Sequence, residues 1–206
     1  MLNVPPRIYL ASRSPRRREL LKQIGVNFEV LLFREHFGRG ADVNEVPKPG
    51  ELPEDYVRRV TRDKADTGWL RVQQRALPRH PVLAADTEVC LDERIYGKPS
   101  NRADAAAMLR SLAGREHRVL TGVAIRYEEY FEMLMSETVV RFGPMSEQEI
   151  MHYVESGEPL DKAGAYAIQG RAAAFIPEIL GSYTGVMGLP LFETGRLLMQ
   201  VGFKIL

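Results

Sequence analysis

Apolar residues recur along this chain in two rhythms, and the switches between them mark its elements. Arg7 to Ser12 is a short apolar run that predicts a strand. Pro15 to Ile24 carries Leu20, Leu21 and Ile24 at helical spacing and closes on Gly25, so a helix follows directly. Ser14 suits its N-cap and Pro15 its first position. Phe28 to Phe33 predicts a second strand. His36 to Pro53 is polar and rich in Gly and Pro, which predicts a long loop of the functional or mobile kind. Pro53 to Trp69 is helical, with Tyr56, Val57, Val60 and Lys64 near one face. Pro81 to Asp86 predicts a buried strand ending on a charge, and Glu88–Leu91 with Arg94–Tyr96 a hairpin around Asp92-Glu93.

The second half continues in the same way. Ala103 to Leu112 is a helix ended by Gly114. Arg118–Tyr127 and Tyr130–Phe142 are long β-like runs joined at Glu128-Glu129. Ser146-Glu147-Gln148-Glu149 is a capping box for a helix to Ser156, with Gly157 at its end. Ala165 to Ile179 is mixed and reads as β-rich. Pro190 and Gly202 bracket a last helix rich in Leu and Met. Crossovers and a long hairpin in one chain predict an α/β fold with a mixed sheet.

Composition narrows the function. The chain has 206 residues, enough for one α/β domain or two tightly joined lobes. Its 28 Lys plus Arg against 27 Asp plus Glu leave a net charge of +1, which argues against a non-specific nucleic-acid binder. Cys90 stands alone, so no intrachain disulfide forms, which fits a reducing compartment. Pro5, Pro6 and Arg7 interrupt any signal-peptide core, and no run approaches the roughly 18 apolar residues of a membrane span. The expectation is a cytoplasmic protein with neither a membrane nor a stable nucleic-acid partner.

Chemistry concentrates in separate blocks. Arg16, Arg17 and Arg18 crowd the first turn of the first helix, where the helix dipole disfavours positive charge. A docked polyanion would resolve the conflict, because a helix N-terminus is an anion site. Taken alone, the arginine run is a solvated basic turn; the downstream blocks reverse that balance. Asp86 ends an apolar strand, where a carboxylate must be paired, solvated in a cleft or bound to a metal. Lys98, between Gly97 and Pro99, sits on a stiff turn suited to a point charge facing phosphate. Gln169, in a stretch of small residues, offers both donor and acceptor to a nucleobase edge. The four histidines lack metal-ligand spacing, and neither a Walker A nor a G-x-G-x-x-G is present.

These blocks together resemble the Maf family of nucleoside triphosphate pyrophosphatases. The matching stretches are Leu10-Ala11-Ser12-Arg13-Ser14-Pro15-Arg16-Arg17-Arg18-Glu19-Leu20-Leu21, Ala85-Asp86-Thr87-Glu88-Val89 and Tyr96-Gly97-Lys98-Pro99. Then follow Leu112-Ala113-Gly114-Arg115-Glu116-His117-Arg118-Val119, Thr121-Gly122-Val123, Asp161 to Gly170 and Gly188-Leu189-Pro190. The resemblance therefore runs from the first strand to the last helix.

It implies one Maf-like α/β domain over 1–206, similar to the ITPase fold: a mixed central sheet flanked by helices, with two lobes around a deep cleft, often as a homodimer. It implies hydrolysis of a nucleoside triphosphate to monophosphate and pyrophosphate with a divalent metal, Mg, Mn or Co. Asp86 matches the family's proton acceptor. Arg16, Thr87 and Gln169 match positions associated with substrate choice. Arg16, Arg17, Lys64 and Lys98, with Ser12 beside them, would face phosphate, Lys98 counting with Asp86 among the catalytic groups. Many members carry an Asp-Glu pair after the second strand, with the glutamate near the metal. Here Glu35 is a counterpart, Asp42 and Glu45 compete with it, and Asp86 is itself a candidate ligand. The subgroup acting on dTTP and UTP resembles this chain at Asp86-Thr87 and Ala167-Ile168-Gln169-Gly170; the subgroup acting on 7-methyl-GTP usually has Gln after the aspartate and Glu before the later glycine. ITP-type cleanup of non-standard nucleotides is a neighbouring reading, and a nucleic-acid or septum-associated binding protein using the Arg13–Arg18 patch is the reading from another class.

Overall fold

A computed structural model of the chain describes residues 7–33 and 42–205. The elements run β1 (Ile8–Leu10), α1 (Pro15–Gln23), β2 (Phe28–Val30), α2 (Pro53–Gln74), β3 (Val82–Leu91), β4 (Arg94–Tyr96), α3 (Arg102–Leu112), β5 (Glu116–Tyr127), β6 (Tyr130–Arg141), α4 (Glu147–Glu155), β7 (Glu178–Leu180), α5 (Tyr183–Met187) and α6 (Leu191–Gln200). All the strands join one mixed sheet in the order β2-β1-β3-β5-β6-β7, with β4 added on β3. β1 is parallel to both β2 and β3; every other pairing is antiparallel.

Local chemistry explains the element ends. Ser14 caps α1 by accepting from the Arg17 N–H, with Pro15 in the first turn. The Ser146–Glu149 capping box forms in both directions. Asp92 and Glu93 both take positive φ, at 49° and 62°, the conformation of a tight hairpin turn between β3 and β4.

Two sequence expectations need correction. β3 does not end at Asp86 but continues to Leu91, because β5 pairs with it throughout and Asp86 lies opposite Gly122. The stretch 165–179 is not β-rich. It is dominated by 3₁₀ turns, Ala163–Ala165 and Arg171–Phe175, with only β7 at its end. Side chains take the place of a ladder there: the Ala167 N–H donates to the Tyr153 hydroxyl at 3.2 Å, and the Arg171 N–H to Glu158 Oε1 at 3.0 Å.

The core divides at the middle of β3. On one face, Leu83 and Ala85 pack with Leu20, Leu21, Leu197 and Leu198 from α1 and α6, whereas Val89 and Leu91 pack with Leu109, Leu112 and Tyr153 from α3 and α4. On the other face, Val82 and Ala84 pack with Ala65 and Trp69 of α2, and Cys90 packs with Tyr56, Val57 and Val60. Between these clusters lie Asp86, Thr87 and Glu88, three polar residues within an otherwise apolar strand. The lobes therefore meet at these residues. The cleft opens there because β1 pairs with β3 at Val82 and Leu83, while β4 pairs with it only from Val89 onward. Close packing of α2 fixes the cleft wall: a Cβ at Gly122 would lie 2.4 Å from Thr61 Oγ1, so only glycine admits the helix at this distance.

Candidate functional site

The cleft has a volume of about 920 Å³ and is lined from both lobes. It brings together Ser12, Arg16, Arg17, Lys64, Asp86, Thr87, Lys98 and Gln169, residues that are far apart in sequence. It also includes Glu45 and Glu88.

The strand period assigns the centre. Asp86 and Glu88 share the α2 face of β3, and Thr87 points to the opposite face. Asp86 is 5% exposed, and its Oδ1 accepts from Lys64 Nζ at 2.7 Å. Lys64 also meets Glu45 Oε1 at 3.0 Å. Burial alone would lower the lysine pKa, but Asp86 and Glu45 outweigh it, so the ammonium is held charged. Lys64 therefore sits between two carboxylates on the cleft wall. Glu88 lies beside Asp86 on the same strand face. Burial, then the Asp86 charge, pushes its pKa well above the ordinary carboxylate value. Asp86 Oδ2 and Glu88 Oε2 are both buried without a hydrogen-bond partner.

Thr87 belongs to a second network. Arg17, 9% exposed, donates from Nε to the Gly188 carbonyl at 2.7 Å and from Nη1 to the Ala85 carbonyl at 2.8 Å. Nη1 also meets Ser12 Oγ, and Nη2 meets Thr87 Oγ1, both at 3.2 Å. Four contacts use most of the guanidinium's donors. Arg17 thus ties the basic turn, the open edge of β3 and the Gly188 turn together while lining the cleft. Thr121 Oγ1 donates to the Gly185 carbonyl at 2.8 Å and lies 3.1 Å from Thr87 Oγ1. Gly188, at φ +117°, makes the turn that aims its carbonyl at Arg17.

Arg16 and Lys98 line the cleft from opposite lobes, and Lys98 is exposed. Gln169 lines its rim and is also exposed. Glu158 holds the backbone beside Gln169: it accepts from the Arg171 N–H and, at 2.8 Å, from the Tyr153 hydroxyl. A Cβ at Gly170 would fall within 2.3 Å of that carboxylate.

The acidic candidates after β2 separate clearly. Glu35 lies outside the described residues. Asp42 pairs with Arg71 and is not among the residues that line the cleft. Glu45 reaches Lys64 and lines the cleft. The loop carrying it is pinned by Arg59, which donates to the Asn44 carbonyl at 2.9 Å and to Glu51 at 2.6 Å.

Glu88 is the residue that sequence reading passed over. Its signal was available as the i, i+2 partner of Asp86, but ending the strand at Asp86 hid it. Two orphaned carboxylate oxygens suit a hard cation, which takes oxygen ligands. Among the described residues, no group of three or more His, Cys, Asp or Glu forms a ready-made metal cage. A cation there would complete its shell with oxygens from another molecule, as magnesium does with phosphates. Paired carboxylates on one wall and cationic side chains on the others suit a polyphosphate cleaved by water.

Comparison with known proteins agrees with this chemistry. The model of a family described as Maf-like protein matches residues 7–201. A protein of Nitrosomonas europaea named dTTP/UTP pyrophosphatase is 57% identical over 198 residues, covering 96% of each chain. One of the same name from Aromatoleum aromaticum is 57% identical over 206 residues, covering 100% of both. A third, from Dechloromonas aromatica, is 54% identical over 198 residues, covering 96% of this chain and 98% of the relative. Among solved structures, the Staphylococcus aureus Ham1 protein gives a TM-score of 0.42 at 16% identity, over 66% of this chain and 71% of that one.

Proposed function

The chain belongs to the Maf family, and from that premise we propose that it hydrolyses dTTP and UTP to the nucleoside monophosphate and pyrophosphate. The observation that carries this reading is the polar triplet Asp86-Thr87-Glu88 at the junction of two lobes, with basic groups on both walls. The relatives named dTTP/UTP pyrophosphatase support the choice of base.

Roles follow from placement. Asp86 orients and deprotonates the attacking water, with Lys64 holding the carboxylate in position. Arg16 and Lys98 neutralise the triphosphate from the two lobes, and Ser12 adds a hydroxyl beside the basic turn. Arg17 secures Thr87 and the Gly188 turn against that basic turn. Uracil and thymine present an N3–H donor between two carbonyl acceptors, and the Gln169 amide complements that edge by accepting from one and donating to another. A glutamate could only accept. A divalent cation, Mg, Mn or Co, would be held at Asp86, where it would supply charge neutralisation of phosphate oxygens and a more acidic water. We assign the enzyme to the cytoplasm, where its nucleotide substrates circulate, and to a homodimer, as the family resemblance implies.

The test is a nucleotide panel with product chromatography. The expected result is the highest kcat/KM for dTTP and UTP, lower values for dCTP and CTP, poor use of 7-methyl-GTP, pyrophosphate as the second product, and loss of turnover in EDTA. Release of orthophosphate and a diphosphate would refute the reaction. A preference for 7-methyl-GTP or ITP would refute the choice of base alone.

A further inference from the structure

Glu88 has no role in the scheme above beyond its position, yet its surroundings are unusual. It lies two residues from Asp86 on the same face of β3, inside the cleft. Lys64 is the cation in contact with this carboxylate group, and its ammonium is taken by Asp86 at 2.7 Å and Glu45 at 3.0 Å. No ion pair reaches Glu88 among the described residues, and its Oε2 is buried without a partner. Asp86, 5% exposed, likewise leaves Oδ2 unsatisfied. Two buried carboxylate oxygens on one face of β3, Asp86 Oδ2 and Glu88 Oε2, are thus left without a donor. An orphaned carboxylate in a low-dielectric site is costly unless something else binds it.

We propose that Glu88 is a ligand of the divalent cation, joining Asp86 so that the two orphaned oxygens hold the ion on the cleft face of β3. Carboxylate oxygens are the preferred protein ligands of a hard divalent cation. Two protein carboxylates leave the remaining positions for phosphate oxygens and water, consistent with the lack of a three-residue cage among the described residues. The proposal rests on the pyrophosphatase reading only for the phosphates that complete the shell. A purely structural Glu88 would have a hydrogen-bond partner, and a purely protonated one would be replaced silently by glutamine.

The experiment is a titration of the full-length protein with Mn²⁺, read by the electron paramagnetic resonance of the free ion, with and without a non-hydrolysable α,β-methylene analogue of dTTP. Wild type, Glu88→Gln and Glu88→Asp are compared, and thermal melts establish that each is folded. Glu88→Gln is isosteric but neutral, and it should weaken Mn²⁺ binding at least about tenfold, the low end even for groups that only support a ligand. The Mn²⁺ concentration giving half-maximal turnover should rise by a similar factor, with turnover recovering at high Mn²⁺. Glu88→Asp, which keeps the charge, should retain tighter Mn²⁺ binding than Glu88→Gln. If Glu88→Gln is folded and its Mn²⁺ affinity falls by less than tenfold, the proposal is overturned. If Glu88→Gln does not fold, Glu88→Asp decides, and Mn²⁺ affinity equal to wild type at altered side-chain length overturns it. Failure of wild type to cleave dTTP or UTP would defeat the functional reading while leaving the Mn²⁺ titration to judge Glu88.

Discussion

Arg17→Lys is the most informative single change, because it keeps the charge and removes the fork. If Arg17 acts as a cation facing phosphate, lysine should substitute with modest loss. The structure predicts otherwise. Its Nε and Nη1 donate to two backbone carbonyls, Gly188 at 2.7 Å and Ala85 at 2.8 Å, and its other contacts reach Ser12 and Thr87. A lysine ammonium has three donors on one atom against the four contacts that the guanidinium makes from three nitrogens, so it leaves at least one buried partner, such as the Gly188 carbonyl, unmet. Hydrogen bonds from charged groups contribute about 1.5–3 kcal/mol each, and the abandoned buried carbonyl adds a desolvation cost of similar size. The expected loss is about 2–4 kcal/mol. At about 2–4 °C per kcal/mol for a chain of this size, Tm should fall by roughly 5–15 °C. Thermal melts and urea titrations measure the loss directly. Kinetics should show a raised KM together with a lowered kcat, since Thr87 and the Gly188 turn lose their common anchor. A Tm within about 2 °C of wild type, with near-normal turnover, would refute the clasp and return Arg17 to the role of a simple point charge.

Other expectations follow from the same geometry. Asp86→Asn should lower kcat by at least about a hundredfold while nucleotide binding, followed by fluorescence titration, is retained or improved; near-normal turnover would place the base elsewhere. Gln169→Glu should cut kcat/KM for dTTP and UTP, yet leave Tm almost unchanged because the side chain is exposed; a matched loss of stability would point to a packing role instead. His117 is 3% exposed, and burial pushes its pKa down to about 4 from the ordinary 6.5. Between those values the unfolded chain binds a proton that the folded chain refuses, so stability falls as pH drops from 6.5 towards 4 and levels off below. The gap corresponds to about 3 kcal/mol, and His117→Gln should flatten that part of the urea-midpoint profile; identical slopes in both proteins would refute it.

Much of the frame was legible in the sequence because the responsible interactions are local. The Ser14-Pro15 start, the Ser146–Glu149 box and the Asp92-Glu93 turn are short-range signals, and each formed as expected. Asp86 and Lys98 stood out as charges in improbable places, and the cleft gathers both. What escaped is non-local. β3 runs through its polar triplet because β5 pairs with it, a partner more than thirty residues away. The turn nature of 165–179 depends on Tyr153 and Glu158 replacing a ladder. The true surroundings of Arg17 and Lys64, and the isolation of Glu88, required residues from several elements to be placed together.

The unbroken strands beneath the cleft have one more consequence. β3, β5 and β6 cross from one lobe to the other without interruption, paired residue by residue past Thr87. A hinge at that point would have to tear a backbone ladder, so the two lobes behave as the fixed jaws of a caliper. Scattering curves of the empty and nucleotide-filled protein should therefore superimpose. Such a gauge measures the span from base to scissile bond against a gap set during folding. Little ordering is left for the moment of binding, which lowers its entropic cost. A nucleotide with too short a phosphate chain cannot be gripped by drawing the jaws together; it leaves one wall untouched, and discrimination by length comes from the skeleton itself.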